Sequence, residues 1–409
     1  MSSNQQKFSI SLVLLAAAGT FALTMGTRQT MGLFLADVNK TTGLGIADIS
    51  LAFAFGQLWW GLTQPFAGAF ADRIGAGRVL FIGVCLVALG TVLMPMMTST
   101  VGLIFAIGVL AAGGAGMAGP SVLMAATTRL LPPEKRGMAT GIVNAGGSFG
   151  QFVLAPVAMG LTTLIGWMGS MQTLGLIVLL ALPAAWVLKG NSGATATTAG
   201  SPPNAPRLSA GAAIKNALND RSFLLLGAGF FVCGFHVAFL GTHLPNVVAM
   251  CGLPPSISAW SLGLLGLFNI FGSLGMGWAV GRWRMKSLLS IVYATRAVAV
   301  MIFLASPKTA TVMLIFAAVM GLTFLSTVPP TAGLVAKFFG PANMATLFGI
   351  VMLSHQVGGF LGAWLGGKVF TLTGSYDTIW MIDIALAIGA ALIHMPINEA
   401  PLPLKVQAA

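Results

Sequence analysis

Gly68-Ala69-Phe70-Ala71-Asp72-Arg73-Ile74-Gly75-Ala76-Gly77-Arg78 is a short polar stretch between two long apolar runs. A helix needs about 20 mainly apolar residues to cross a bilayer. Two such runs joined by a tight, glycine-rich turn with net positive charge read as a membrane hairpin. Lys and Arg concentrate in cytoplasmic loops, so the turn is expected on the cytoplasmic side.

The whole chain agrees with this stretch. Hydrophobic residues make up 56% of its 409 positions and charged residues only 7%, against about 25% in a soluble domain. The formal net charge of +12 would suggest nucleic acid in a soluble protein. Here every Lys and Arg except Arg28, Lys40, Arg296, Lys308 and Lys368 falls at alternate loops or at the ends of the chain. The excess is therefore a topology signal, and no nucleic-acid partner is expected. Cys85, Cys233 and Cys251 have no metal-ligand spacing and read as packing residues.

Twelve apolar runs follow one another, near 9–36, 47–71, 79–97, 101–127, 138–161, 166–188, 222–247, 256–281, 287–306, 309–336, 344–369 and 376–397. The first is too long for a signal-peptide core and is expected to remain as a membrane helix. Residues 189–220 contain a low-complexity, turn-rich segment, from Gly190 to Pro203, and read as a flexible cytoplasmic linker. The expected organisation is a six-helix half over 1–188, the linker over 189–220 and a second six-helix half over 221–409.

The halves align with each other at an offset of 208 or 209 residues. Gly68 and Arg73 match Gly277 and Arg282, Pro120 matches Pro329, and Gly141-Ile142-Val143 matches Gly349-Ile350-Val351. Phe152 matches Phe360, and Gly26 and Arg28 match Gly234 and His236. Four helices that keep nearly one offset indicate a duplication. The second copy of the opening loop is degraded, because Gly281 stands where the first copy has its acid.

The pattern G-x-x-x-D-R-x-G-x-x-R over 68–78 resembles the signature loop between helices 2 and 3 of the major facilitator superfamily. The resemblance covers essentially the whole chain. It implies an all-α membrane fold of twelve helices in two pseudo-symmetric halves, with a site at their interface. It also implies that helices 1, 4, 7 and 10 line the path, and that Asp72, Arg73, Arg78 and Arg282 act at a gate. Thr27-Arg28-Gln29-Thr30-Met31-Gly32-Leu33-Phe34 is similar to the helix 1 segment of bacterial relatives of monocarboxylate transporters. Gly61–Gly68, Tyr293–Ala297 and Ser354–Gly359 are similar to their helix 2, 9 and 11 segments. Animal monocarboxylate carriers and oxalate–formate exchangers place an arginine in helix 8, whereas 262–280 here carries no charge.

A charge inside a bilayer costs at least about 2.5–3.5 kcal/mol, so each one is a candidate for function. Arg28 lies deep in the first run, with no acid one turn away. Its planar fork suits a carboxylate, and snorkelling to the outer interface is the alternative. His236, its match in the second half, could donate to an anion, carry a proton or simply bond a neighbouring helix. Arg296 in helix 9 reads as a substrate ligand or as a structural partner of backbone carbonyls or another helix. His355 and Gln356 place two polar side chains in an apolar run. Gln57, Gln151 and Asn269 are further candidates. Asp383 lies within about two turns of the outer end of helix 12, and no other acid lies deeper in a run.

That inventory, cationic and neutral, suggests an anionic substrate. No G-x-x-x-x-G-K-[ST] loop occurs, so ATP-driven transport by this chain is not expected. The expectation is a non-enzymatic secondary transporter, acting as a monomer without a cofactor. It would move a small organic acid across an inner membrane by proton coupling or exchange, with both ends of the chain cytoplasmic. The alternatives are a carrier of a vitamin, aromatic metabolite or drug, and a non-transporting sensor on the same fold.

Overall fold

A computed structural model describes residues 3–130, 136–189, 210–339 and 344–401, which are helical with no strand among them. Helix α1 (Ser3–Thr30) passes through a 3-10 turn (Met31–Phe34) into a last helical stretch, Leu35–Thr42. Gly43 closes it with φ 70° and an N–H to the Asn39 carbonyl at 2.9 Å. The sequence reading ends this run at 36, before Asp37, Asn39 and Lys40. Leu35 and Val38 are buried, and their packing carries the helix past those polar residues.

Helices α2 (Ile46–Ile74) and α3 (Ala76–Leu93) are separated by Gly75 alone, at φ 92°. The signature stretch is therefore a one-residue hinge between two helices, in a conformation that L side chains rarely adopt. Helix α4 is segmented into Thr100–Leu103, a π-helical run (Ile104–Ala112), Gly113–Met117 and, after a break, Pro120–Leu130. The next run, Arg136–Val178, has 43 residues. At 1.5 Å per residue that is about 65 Å, twice the hydrocarbon thickness of a bilayer. Gly166, with φ 74°, divides it into α5 (136–165) and α6 (167–178), which continues through Leu179–Ala181 into Leu182–Val187.

The second half repeats the order as α7 (Arg221–Met250), α8 (Pro255–Val280), α9 (Met285–Ala305) and α10 (Ala310–Thr323, resuming as Val328–Phe339). Then come α11 (Met344–Thr373) and α12 (Asp377–His394). Ten of the described stretches are long and apolar enough to cross a membrane. One of these, 139–187, holds two helices, and α2 adds another, so the twelve expected helices are present.

The duplication reappears as repeated contacts. A Cβ on Gly150 of α5 would overlap the Ala22 carbonyl of α1, and one on Gly358 of α11 would overlap the Phe231 carbonyl of α7. One turn away, Gly146 sits on Ala18, while Ser354 Oγ donates to the Gly227 carbonyl at 2.7 Å. Both crossings are close helix–helix approaches that small residues permit. Both α4 and α10 also break just before the matched Pro120 and Pro329. Proline cannot donate a backbone bond and crowds the preceding turn.

Where the cores lie defines the shape. At the face where α1 begins and α12 ends, each half has its own core. One contains Val13, Ala17, Leu80, Val122 and Val143, and the other Phe223, Leu226, Leu289, Leu334 and Val351. At the opposite face a single core joins Phe34, Ile49 and Leu154 to Phe239, Val248 and Leu262. Across the interface α2 packs on α11 and α5 on α8. The halves are thus closed together at the far face, and among the described residues no apolar core joins them at the terminal face.

Most of the stretch read as a linker lies outside the described residues. Its last part forms a helix, Ala210–Leu218, because Ala213 and Ala217 share a face and are buried. After α12 the chain returns to the terminal face. There Glu399 Oε1 accepts from the Lys286 backbone N–H at 2.8 Å, and Oε2 meets Lys337 Nζ at 3.2 Å. A carboxylate on the first turn of α9 is favourable to the helix dipole.

Candidate substrate site

Arg28 is half-buried near the end of the α-helical part of α1, about 20 Å before the end of the helical run at 1.5 Å per residue. Its Nη2 donates to Gln57 Oε1 on α2, and its guanidinium lies 4.9 Å from the centre of the Trp60 ring. Nη1 is 3.7 Å from Met25 Sδ. These are neutral partners, so they orient the cation without neutralising it. Gln57 Nε2 donates across the interface to Gln356 Oε1 on α11 at 3.0 Å. Arg28, Gln57 and Gln356 thus form one chain that joins the halves. Two buried donors in these residues have no hydrogen-bond partner, Gln356 Nε2 and Trp60 Nε1.

His236 and Arg296 form a second group, inside the second half. The break in α10 frees carbonyls, and Arg296 Nη2 donates to those of Thr323 and, at 2.8 Å, Phe324. Its Nη1 lies 3.4 Å from His236 Nδ1, and Nη2 is 3.7 Å from Cys233 Sγ. A guanidinium only donates. His236 Nδ1 is therefore the acceptor, and the ring proton sits on Nε2. That nitrogen is 3.1 Å from Asp383 Oδ1 on α12, an ion-pair distance without good hydrogen-bond alignment. Arg296, His236 and Asp383 are each 1% exposed, so this group is sealed in the protein. Asp383 stands two turns into α12, yet its carboxylate packs on the middle of α7. The second half therefore does hold a deeply buried acid, engaged by a histidine.

Asn269 makes a third group. Its Nδ2 donates to Ser148 Oγ of α5 at 2.8 Å, and its Oδ1 accepts from the Leu325 N–H at 3.0 Å. It bridges the halves and satisfies a third backbone group freed at the α10 break. Gln151 is buried at the same α5–α8 contact, against Gly266. His355 neighbours Gln356 in the chain, but its ring lies 4.9 Å from Phe230 and neither ring nitrogen has a hydrogen-bond partner. Arg73, Arg78 and Arg282 are exposed at the terminal face, and Arg282 lies 4.0 Å over the Trp278 ring. The side chain of Asp72 lies outside what is described.

Sequence reasoning missed Trp60, Ser148 and the part played by Asp383. Trp60 carries a signal, since it stands one turn from Gln57 on the same helix. The link from Asp383 to His236 spans α7 and α12, and no spacing within the chain announces it.

Two repeated six-helix halves, a shared core at one face, separate cores at the other and polar chains between them define a membrane carrier of the two-domain type. The chain belongs to the Major Facilitator Superfamily, whose family model matches residues 16–363. It is 24% identical to monocarboxylate transporter 13 of Rattus norvegicus over 396 residues, covering 94% of this chain and 88% of that one. It is also 24% identical to the oxalate:formate antiporter of Oxalobacter formigenes over 407 residues, covering 96% and 92%. A crystal structure of a point mutant of the nucleoside transporter NupG superposes with a TM-score of 0.76 at 16% identity, over 95% of this chain and 99% of that one. The fold is therefore the all-α fold of this superfamily, and the chain is a multi-pass membrane protein.

Proposed function

We propose that this protein is a secondary carrier of a small organic anion, a monocarboxylate or related organic acid, and that it alternates access to a central site. The observation that carries the reading is Arg28. It is a half-buried cation held by neutral partners at the contact between halves, beside unpartnered donors on Trp60 and Gln356. A donor-only group of this kind suits a carboxylate, which only accepts. Relatives that carry monocarboxylates, oxalate or formate by name support the class. Asn269, Gln151 and His355 are proposed at the edge of the same path.

The buried Arg296–His236–Asp383 group supports a proton-coupled mode, with exchange of one anion for another as the other mode. His236 faces Arg296 and Asp383 here, so its proposed role is with the proton rather than the anion. The divided cores at the terminal face correspond to a state open toward that side. We place this side in the cytoplasm, with the protein a monomer in the inner membrane. The test is uptake of labelled formate, L-lactate and oxalate into liposomes holding the purified protein, with and without a pH gradient. Uptake of none of these acids would overturn the substrate class. Uptake indifferent to the gradient would leave exchange as the mode.

Two expectations follow from this orientation. Reporter fusions at residue 200 and at Ala409 should both give cytoplasmic signals, since the basic residues cluster on that side. An external signal at either would reverse the topology. Asp72, Arg73 and Arg78, where α2 and α3 meet, and Arg282, between α8 and α9, are proposed to act at the cytoplasmic gate. Asp72→Asn keeps size and removes charge, so transport should fall while protein abundance holds. Full transport by that variant would reduce the motif to a topology marker.

A further inference from the structure

One amide occupies an unusual position in the Arg28 chain. Gln57 Oε1 accepts from Arg28 within the first half, while Gln57 Nε2 donates to Gln356 Oε1 in the second half at 3.0 Å. The seat of this amide is shaped on both sides. A Cβ on Gly359 of α11 would lie 2.6 Å from Gln57 Cγ, and one on Gly61 of α2 would overlap Gln356 Cγ. Each glutamine therefore lies in a slot opposite a glycine of the other helix. The Gln57 oxygen occupies one arm of the guanidinium fork, at Nη2.

We propose that Gln57 is a placeholder for the substrate carboxylate: it holds Arg28 in the empty carrier, and the arriving carboxylate displaces it. The proposal rests on Arg28 being the anion ligand. A carboxylate brings a negative charge and two acceptor oxygens that can pair bidentately with the guanidinium fork, where the amide offers one neutral oxygen, so the exchange of amide for carboxylate is favourable. The displaced amide is the same one that ties α2 to α11. Occupancy of the site therefore reaches the contact between halves through a single side chain. Gln57 acts as a positioning residue, and the neutral amide is essential to the role. A carboxylate at position 57 would pair with Arg28 and not yield.

Three variants of the full-length protein test this: Gln57→Glu, Gln57→Leu and Gln356→Leu. Binding of formate and L-lactate to purified protein should fall by about tenfold or more in Gln57→Glu. In Gln57→Leu it should be no weaker than in wild type, because the internal competitor is gone. Spin labels at the exposed far-face positions Met96 and Leu372, one in each half, report the separation without any ligand. Gln57→Leu and Gln356→Leu should broaden that distance distribution to the same extent, since each cuts the same bond. Wild-type affinity in Gln57→Glu, or equal losses in Gln57→Glu and Gln57→Leu, would overturn the placeholder. So would a distance distribution untouched by Gln57→Leu, and this arm decides alone if neither probe binds. Binding that is sensitive to Arg28→Lys but not to Gln57→Glu would refute the placeholder and leave the anion site standing. Insensitivity to Arg28→Lys would refute the anion site itself.

Discussion

Arg28→Lys should lose much of the transport and weaken carboxylate binding by about tenfold or more, although it keeps the charge. The guanidinium has several tasks at once. In the empty carrier one nitrogen donates to Gln57 and the guanidinium centre lies over the Trp60 ring, 4.9 Å from its centroid; a carboxylate takes the fork in place of Gln57. A lysine ammonium is a compact point charge and cannot reproduce that fork or that stacking. A hydrogen bond to a charged group contributes about 1.5–3 kcal/mol, which sets the tenfold scale. A neutral methyl ester of a transported acid should bind poorly and be nearly insensitive to the substitution. Equal affinity of purified wild type and Arg28→Lys for the acid would sink the clamp. It would return Arg28 to a snorkelling role, despite the helical run that extends to Thr42 beyond it.

The second large effect belongs to Arg296. Arg296→Met should destabilise the protein by about 3–5 kcal/mol, the cost of removing one partner from a buried charged group. Two losses combine in this change. The carbonyls of Thr323 and Phe324 at the α10 break lose their donor, and the sealed His236–Asp383 pair loses the cation that His236 Nδ1 faces. Arg296→Lys should fall between wild type and Met, because one ammonium cannot reach two carbonyls and the imidazole together. Asp383→Asn should cost less, since it removes a charge and leaves Arg296 its carbonyl partners. Thermal unfolding in detergent gives the order. A Met variant as stable as wild type would show that water or another group takes over the carbonyls. If the group also carries the proton, Asp383→Asn should abolish the response of transport to a pH gradient while leaving anion exchange intact.

The different legibility of these two residues has a physical reason. Arg28 could be picked out along the chain, because a lone charge deep in an apolar run is costly and must serve some purpose. Its match with His236 in the repeat also pointed to the centre. The match did not carry function across. His236 lies on the side of α7 that meets α9 and α12, and its partners there are Arg296 and Asp383. Equivalent positions in a duplicated chain share a backbone address, while their side chains answer to whatever each half packs nearby. Arg296 had two readings open. The break before Pro329 favours the structural one, because broken helices in a membrane must satisfy their freed carbonyls inside the protein.

By itself, the sequence determined the membrane class, the twelve helices, the repeat and the turn that contains Gly75. Each of these depends on local chemistry: run length against bilayer thickness, glycine conformation and the placement of basic loops. The boundary between α5 and α6 was legible only as a gap between the apolar runs ending at 161 and beginning at 166, and the structure puts the break at Gly166, φ 74°. Tertiary structure decided which polar residues meet. Gln57 touches Gln356 across 299 positions, and Asn269 touches Ser148 across 121. Such pairs depend on the crossing of α2 with α11 and of α5 with α8, set by where small residues let backbones approach. It also decided which face is closed. Both halves are apolar at both ends, so composition cannot distinguish a shared core from two separate ones. Only the packing of Phe34 and Ile49 against Phe239 and Val248 does so.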